Sequence, residues 1–187
     1  PEAPREVIES ERDIEQGKLV MGFRTGVSLA QGDVYGAIVF NGLFGGFSHS
    51  RLFRAFREKA GLAYAVGSWV EKTKDVLEVE AGLDAEHFRR AVDLVRAELA
   101  DLAAGNVGAA ELDLTLRALL ERAEALRDHP VQRLHFYLER IQNWRTETIF
   151  DLPARLRAVT RDDVIRIAGQ VRLDTVYFLC PEGQRPA

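Results

Sequence analysis

A long block of helical patterns separates the early strand patterns of this chain from its last one, and this order limits the folds available to it. Strand patterns occur at 17–28, 62–83 and 174–180, whereas residues 84–171 repeat apolar side chains mainly at helical spacing. Strands that do not alternate regularly with helices favour an α+β fold. We therefore predict a mostly antiparallel sheet with helices packed on one face.

The length of the chain and the polar composition of its first residues predict one domain. A compact fold of 187 residues buries roughly 70% of its unfolded surface, so its core needs no disulfide or metal for support. Residues 1–16 contain two prolines and alternating charges without a sustained apolar pattern, which is typical of a tail or linker. We expect residues 17–187 to form the single domain.

Composition and charge exclude several classes of function. The net charge is −4 and the basic residues form no dense block, which argues against nucleic acid as a partner. The longest nearly apolar stretch, residues 34–47, is too short for a membrane span. Cys180 is the sole cysteine and is expected to pack as a small hydrophobe. With an acidic N-terminal segment in place of a signal peptide, these features favour a soluble cytoplasmic protein.

The sequence contains no complete catalytic or metal-binding motif. None of its four histidines forms H-E-x-x-H or the inverted H-x-x-E-H, and G-x-S-x-G is absent. His135 and Glu139 lie four residues apart on a predicted helix and could face one ion, with His129 nearby. Two ligands without a third are weak support for zinc, and such a pair is more often a surface hydrogen bond. We expect no metal in this chain and no activity from the chain alone.

Three glycines end predicted helices in the segment that follows the first strand. Gly45 and Gly46 end an apolar, buried helix over 34–43, and we expect at least one of them to adopt positive φ. Gly61 ends a second, amphipathic helix that begins near residue 50. These glycines are predicted to be structural.

Arg57 and Tyr64 lie on either side of that second break. A helix end and a strand start would hold a guanidinium and a phenol side by side, and both groups can donate hydrogen bonds to carbonyl oxygens. Such a pair could grip a peptide backbone or stabilise an oxyanion. The alternative from pattern alone is a solvated helix face of Arg54, Arg57 and Lys59, with Tyr64 half-buried in a strand.

The segment LFGGFSHSRLFRAFREKAGLAYAVGSWVE, residues 43–71, resembles a signature of the pitrilysin/insulinase metallopeptidase superfamily. Members of that superfamily commonly read Leu-Gly-Gly-Gly-Met-Ser-Ser-Arg-Leu-Phe and then Arg-Glu-Lys-x-Gly-Leu-Ala-Tyr. Phe47 and His49 stand in place of a glycine and a serine, so we expect a bulkier loop. The later order of helices and the final strand extend the resemblance over most of residues 17–187.

The resemblance implies both a fold and a role. These proteins, like mitochondrial processing peptidase, are built from repeated α/β domains that face one another as a clamshell, in which one half carries the inverted zinc motif. In the other half, an arginine and a tyrosine spaced Arg-x₆-Tyr reach bound substrate, and Arg57 and Tyr64 match that spacing. The resemblance therefore implies a non-catalytic, substrate-binding half. It would act on peptide with a zinc-bearing domain or subunit, in one chain or as a homo- or heterodimer, and residues 1–16 would be an interdomain linker.

Two other hypotheses stay open at this point. The same fold occurs in core subunits of respiratory complexes, so the chain could be an inert scaffold. It could also be a stand-alone zinc peptidase that uses His129, His135 and Glu139. A partner sequence with H-x-x-E-H would favour the substrate-binding half.

Overall fold

The computed structural model describes residues 3–59 and 61–186, with the backbone alone for residues 58, 59, 63 and 64. The strands are β1 (Arg5–Glu11), β2 (Gly17–Arg24), β3 (Ala63–Glu71), β4 (Val76–Leu83) and β5 (Arg172–Pro181). They form one sheet in the order β1-β5-β2-β4-β3. β1 runs parallel to β5, and the remaining pairs are antiparallel. The predicted α+β class with a mostly antiparallel sheet is confirmed.

Helices occupy the inner face of the sheet. They are α1 (Val34–Phe44), α2 (Arg51–Arg54), α3 (Phe88–Ala103), α4 (Ala109–Ala125), α5 (Pro130–Gln142), α6 (Leu152–Arg157) and α7 (Arg161–Gln170). A π-helical turn, Ala55–Lys59, continues α2 directly. No helix in the described part of the chain is long and apolar enough to cross a membrane.

The core lies between the sheet and these helices. Side chains of a strand alternate between its two faces, and β2 buries Leu19, Met21 and Phe23 while Lys18 and Arg24 are exposed. β4 follows the same alternation. α1 is apolar on nearly every side and is therefore buried on nearly every side, between the sheet and the outer helices.

Residues 5–11 form the edge strand β1, so the prediction of a tail or linker is wrong for that segment. Each residue pairs with one near the far end of the chain, from Arg5 opposite Thr175 to Glu11 opposite Pro181. Its charged and mostly exposed side chains are typical of a sheet edge. The partner strand is about 170 residues away, so no local pattern in the sequence indicates the pairing.

The glycine pair ends α1 as predicted, but the expected reason is wrong. Gly45 has φ of −150°, and Gly46 is not among the glycines with positive φ. The Gly45 carbonyl accepts a 3.0 Å hydrogen bond from the Ser68 N–H in β3. A Cβ atom at Gly45 would lie 2.8 Å from Ser68 Cβ. Close approach of helix end to strand, rather than backbone conformation, requires glycine here.

We predict that Gly45→Ala destabilises the fold by about 1–3 kcal/mol, the usual cost of forcing an extra methyl into packed structure. Gly169→Ala is the matched control, because a Cβ atom there meets nothing within 4 Å and alanine favours a helix. Urea unfolding should show a lower midpoint for Gly45→Ala and an unchanged or higher one for Gly169→Ala. Equal midpoints for Gly45→Ala and the parent would contradict the close packing.

Candidate functional site

Arg57 lies on the π-helical turn that follows α2. π-helical turns are rare and occur frequently at functional sites, because the extra residue re-aims the side chains around it. The Leu62 N–H donates to the Phe56 carbonyl over 3.0 Å, and Gly61 (φ 59°) turns the chain into β3. The Arg57 side chain is exposed, with its guanidinium carbon 5.1 Å from the centroid of the Phe53 ring.

The start of β3 lies against this turn and carries Tyr64. β3 is an edge strand, and its register with β4 is irregular between Ala63 and Ala65. A bulge of this kind re-aims side chains at a sheet edge. The Tyr64 side chain lies outside the described residues. The structure thus brings the two elements together, and the pairing of Arg57 with Tyr64 stays a prediction.

The sequence analysis missed the residue that anchors this segment, Arg51. Its guanidinium makes a bidentate contact with the Glu111 carboxylate of α4. Nη2 donates to Oε1 over 2.6 Å, and Nε donates to Oε2 over 3.2 Å. Nη1 donates to Asp101 of α3 over 2.5 Å, and Nη2 also donates to the Asn106 carbonyl. The side chain is only 10% exposed. Arg51 therefore fastens α2 to the connection between α3 and α4.

The environment of Glu111 keeps it ionised. Burial alone would raise the pKa of its carboxyl group, but hydrogen bonds from Arg51 and the Gly108 N–H outweigh that effect. The charges of Arg51 and Arg54 act in the same direction, so the pKa is lowered from its ordinary value. The contribution of Glu111 to stability is therefore present near neutral pH and is lost as the pH falls through the lowered pKa.

Arg57 differs from its two neighbours in the same helical run. Arg51 and Arg54 both pair with Glu111, Arg54 over 3.4 Å. Among the side chains that the structure describes, no carboxylate lies within ion-pair distance of Arg57. Its contact is the Phe53 ring, which leaves the N–H donors facing solvent. Arg57 is thus the arginine of this run that is exposed without a carboxylate partner in the described part of the chain.

The loop after α1 is bulky, as its two unusual residues predict. The rings of Phe47 and His49 stack at 5.0 Å, and the guanidinium of Arg122 lies 4.0 Å above Phe47. His49 Nε2 lies 3.4 Å from Thr115 Oγ1. Burial, followed by the charges of Arg54 and Arg122, lowers the pKa of His49 from its ordinary value. The loop is therefore packed against α4.

An open groove runs over the outer face of β2, β4 and β3, beside the backbone of residue 64. It has a volume of about 460 Å³, and its lining includes Lys18, Ala65, Trp69 and Glu80. Its lining also includes the small residues Gly67, Ala81 and Gly82. The groove offers charges of both signs and one aromatic surface to a ligand.

The histidine candidates do not assemble a metal site. Across residues 3–59 and 61–186, no group of three His, Cys, Asp or Glu side chains could hold an ion. Glu139 accepts a 2.7 Å hydrogen bond from Lys72 instead, His135 is exposed beside it, and His129 precedes α5. The described residues therefore do not fit zinc.

Comparisons with known proteins agree on one family. The sequence profile described as "Peptidase M16 inactive domain" matches residues 1–119. "Probable inactive metalloprotease YmfF" of Bacillus subtilis is 35% identical over 176 residues, which cover 94% of this chain and 41% of that protein. "Uncharacterized zinc protease YmxG" of the same organism is 31% identical over 115 residues, covering 60% of this chain and 28% of that protein.

A solved structure of another protein has a similar fold over nearly the whole length of this chain. A conserved protein from Enterococcus faecalis V583 superposes with a TM-score of 0.89 at 28% identity. The match covers 97% of this chain and 43% of that one. The chain thus spans less than half the length of these relatives.

The different surroundings of two arginines predict different costs of removing them. Arg51→Ala should lower the free energy of unfolding by about 2 kcal/mol, because the part-buried Glu111 carboxylate loses its two-pronged partner and keeps only the longer contact to Arg54 and the Gly108 N–H. Arg57→Ala should change it by less than about 0.5 kcal/mol, as at most surface sites. Urea unfolding at pH 7 measures both. The Arg51→Ala effect should shrink in acid as Glu111 becomes protonated, and an effect independent of pH would contradict the ion pair.

Proposed function

Because this chain belongs to the family of M16 peptidase inactive domains, we propose that it is the non-catalytic, substrate-binding half of a zinc peptidase. Its partner is a zinc-bearing domain or subunit of similar fold, and the two halves enclose a peptide between them. Zinc bound in that partner supplies the activated water and the polarised peptide carbonyl. The residues of this chain bind and orient the peptide.

The observation that carries the proposal is that Arg57 is exposed and has no carboxylate partner among the side chains that the structure describes. Binding of a ligand to an exposed arginine without a carboxylate partner does not require an existing ion pair to be broken. Its planar fork can donate to one or two carbonyl oxygens of an extended peptide with fixed geometry. The Arg51–Glu111 pair fixes α2, and the π-helical turn follows α2 without a break. Arg57 therefore follows an anchored helix start, which supports a role in positioning substrate.

Tyr64 and the groove extend the same surface. The phenol hydroxyl of Tyr64 is a donor that can bind a second carbonyl, and β3 is an edge strand whose beginning, away from the Ser68 contact with Gly45, can pair with an extended chain. The neighbouring groove is open and shallow rather than enclosed. This shape suits a peptide backbone better than a small, fully buried metabolite.

Zinc content separates this proposal from a stand-alone peptidase. The described residues hold no ligand set, so we expect the purified 187-residue chain to retain no stoichiometric zinc. Metal analysis after dialysis against a mild chelator measures this. One tightly held zinc per chain would contradict the proposal and support the His129, His135 and Glu139 site.

Arg57→Ala and Tyr64→Phe should each lower peptide cleavage by the assembled two-half protein. Loss of a hydrogen bond to a substrate carbonyl costs about 1–3 kcal/mol, which is roughly tenfold or more in kcat/KM. The assay needs the full-length protein, or this chain combined with its zinc-bearing partner. Tyr64→Phe is the sharper change, because it removes the hydroxyl and keeps the ring.

Arg117→Ala is the matched control, since Arg117 is an exposed arginine on α4, outside the groove. It should leave cleavage unchanged. If Arg57→Ala and Tyr64→Phe also leave cleavage unchanged, the motif is a packing feature and the inert scaffold becomes the better hypothesis. Unfolding curves taken beside the assay exclude loss of fold as the cause.

A further inference from the structure

One aromatic side chain lies beside the arginine to which we assign peptide binding. Phe53 and Arg57 are four residues apart in the helical run formed by α2 and its π-helical turn. Residues at this spacing are neighbours on a helix surface. The guanidinium carbon of Arg57 lies over the Phe53 ring, 5.1 Å from its centroid, which is within the range of a cation–π contact. Phe53 is therefore placed to direct the charged group of Arg57.

Burial distinguishes Phe53 from the core residues of the same run. Leu52 and Phe56 are fully buried in the hydrophobic core, whereas Phe53 is half-buried. An aromatic side chain stabilises a fold most when it is fully buried, so Phe53 contributes less to the core than it could. The guanidinium of the exposed Arg57 lies over this ring. The ring thus faces the surface on which Arg57 lies.

An aromatic ring can hold an arginine without occupying its hydrogen-bond donors. A bidentate carboxylate accepts hydrogen bonds from two N–H groups of a guanidinium, as Glu111 does from Arg51. The face of a phenyl ring instead attracts the positive charge through its quadrupole, without accepting a conventional hydrogen bond. The contact with Phe53 therefore leaves the N–H groups of Arg57 available for the carbonyl oxygens of a ligand.

Phe53 is the more fixed member of the pair. It follows Arg51 by two residues, and the contacts of Arg51 with Glu111 and Asp101 tie the start of α2 to α4 and α3. A phenylalanine side chain is short and stiff, whereas an arginine side chain has some of the largest rotamer freedom of any residue. The ring can therefore restrict the movement of the guanidinium, rather than the reverse.

We propose that Phe53 is a positioning residue for peptide binding, whose ring holds the guanidinium of Arg57 in the direction in which it meets the substrate. A freely rotating arginine loses its rotamer freedom when it binds, and this loss reduces the affinity. An arginine that a ring already holds loses less. The inference rests on the proposed function of Arg57, but the order of the Arg57 side chain can be measured without substrate or zinc.

NMR relaxation of the Arg57 Nε–H group in the 187-residue chain tests the orientation directly. Phe53→Leu keeps an apolar side chain and removes the ring, so the order parameter of this group should fall. Phe53→Tyr keeps the ring and should retain the order parameter of the parent. An order parameter that is the same in Phe53→Leu and the parent would overturn the proposal, as would a Phe53→Tyr variant that behaves like Phe53→Leu.

Peptide cleavage by the assembled two-half protein tests whether this orientation serves substrate binding. Phe53→Leu should lower kcat/KM about two- to fivefold, the size expected for an exposed cation–π contact, and Phe53→Tyr should leave it unchanged. In an Arg57→Ala background, Phe53→Leu should have no further effect, because the group that the ring holds is gone. An equal effect of Phe53→Leu with and without Arg57 would overturn the proposal. Unfolding curves of each variant detect any loss of fold.

Phe150→Leu is the matched control, because the guanidinium of Arg127 lies 5.3 Å from the centroid of the exposed Phe150 ring, outside the groove. It should change neither the order of Arg57 nor cleavage, and a change in that order would contradict the proposal. The two proposals fail separately. If Arg57→Ala leaves cleavage unchanged while Phe53→Leu lowers the order of Arg57, the substrate-binding role is wrong and the orientation stands. If Arg57→Ala lowers cleavage while Phe53→Leu changes neither quantity, the positioning role is wrong.

Discussion

The ion pair between Arg51 and Glu111 holds the segment on which the proposed peptide contacts depend. α2 has only four residues, too few to keep its direction by its own hydrogen bonds. The two-pronged contact to α4 and the bond to Asp101 of α3 fix its start. The π-helical turn and the beginning of β3 follow within ten residues. Within one short helical run, the structural role of Arg51 is thus separate from the ligand-binding role that we propose for Arg57.

Much of the fold could be predicted because its signals are local. Thr160 and Asp163 form a capping box at the start of α7, a pattern readable from residues three apart, with Thr160 Oγ1 donating to Asp163 over 2.6 Å. The hairpin of β3 and β4 and the proline at the start of α5 likewise depend on neighbouring residues. The family resemblance drawn from residues 43–71 is confirmed. Each of these features depends on residues close together in sequence.

The features that sequence reasoning missed depend on distant contacts. β1 is a strand because β5 lies beside it, and nothing within residues 5–11 indicates that pairing. Gly45 is glycine because Ser68 approaches it, whereas local rules favoured positive φ. No local pattern marks Arg51 as an anchor, because its partner Glu111 lies 60 residues further along. Glu111 offered one local signal, three residues after Gly108 at the start of a helix, as in a capping position.

Photocrosslinking during peptide turnover tests the central claim most directly, because it reports contact with substrate rather than loss of activity. A benzophenone side chain would replace the exposed Ala65, which borders residue 64 and the groove, and a second protein would carry it at Arg117 on α4. Irradiation of the assembled zinc-containing protein with a labelled peptide should join the peptide to position 65 and not to position 117. Equal labelling at both positions, or none at position 65 while cleavage proceeds, would contradict a substrate-binding role for this half.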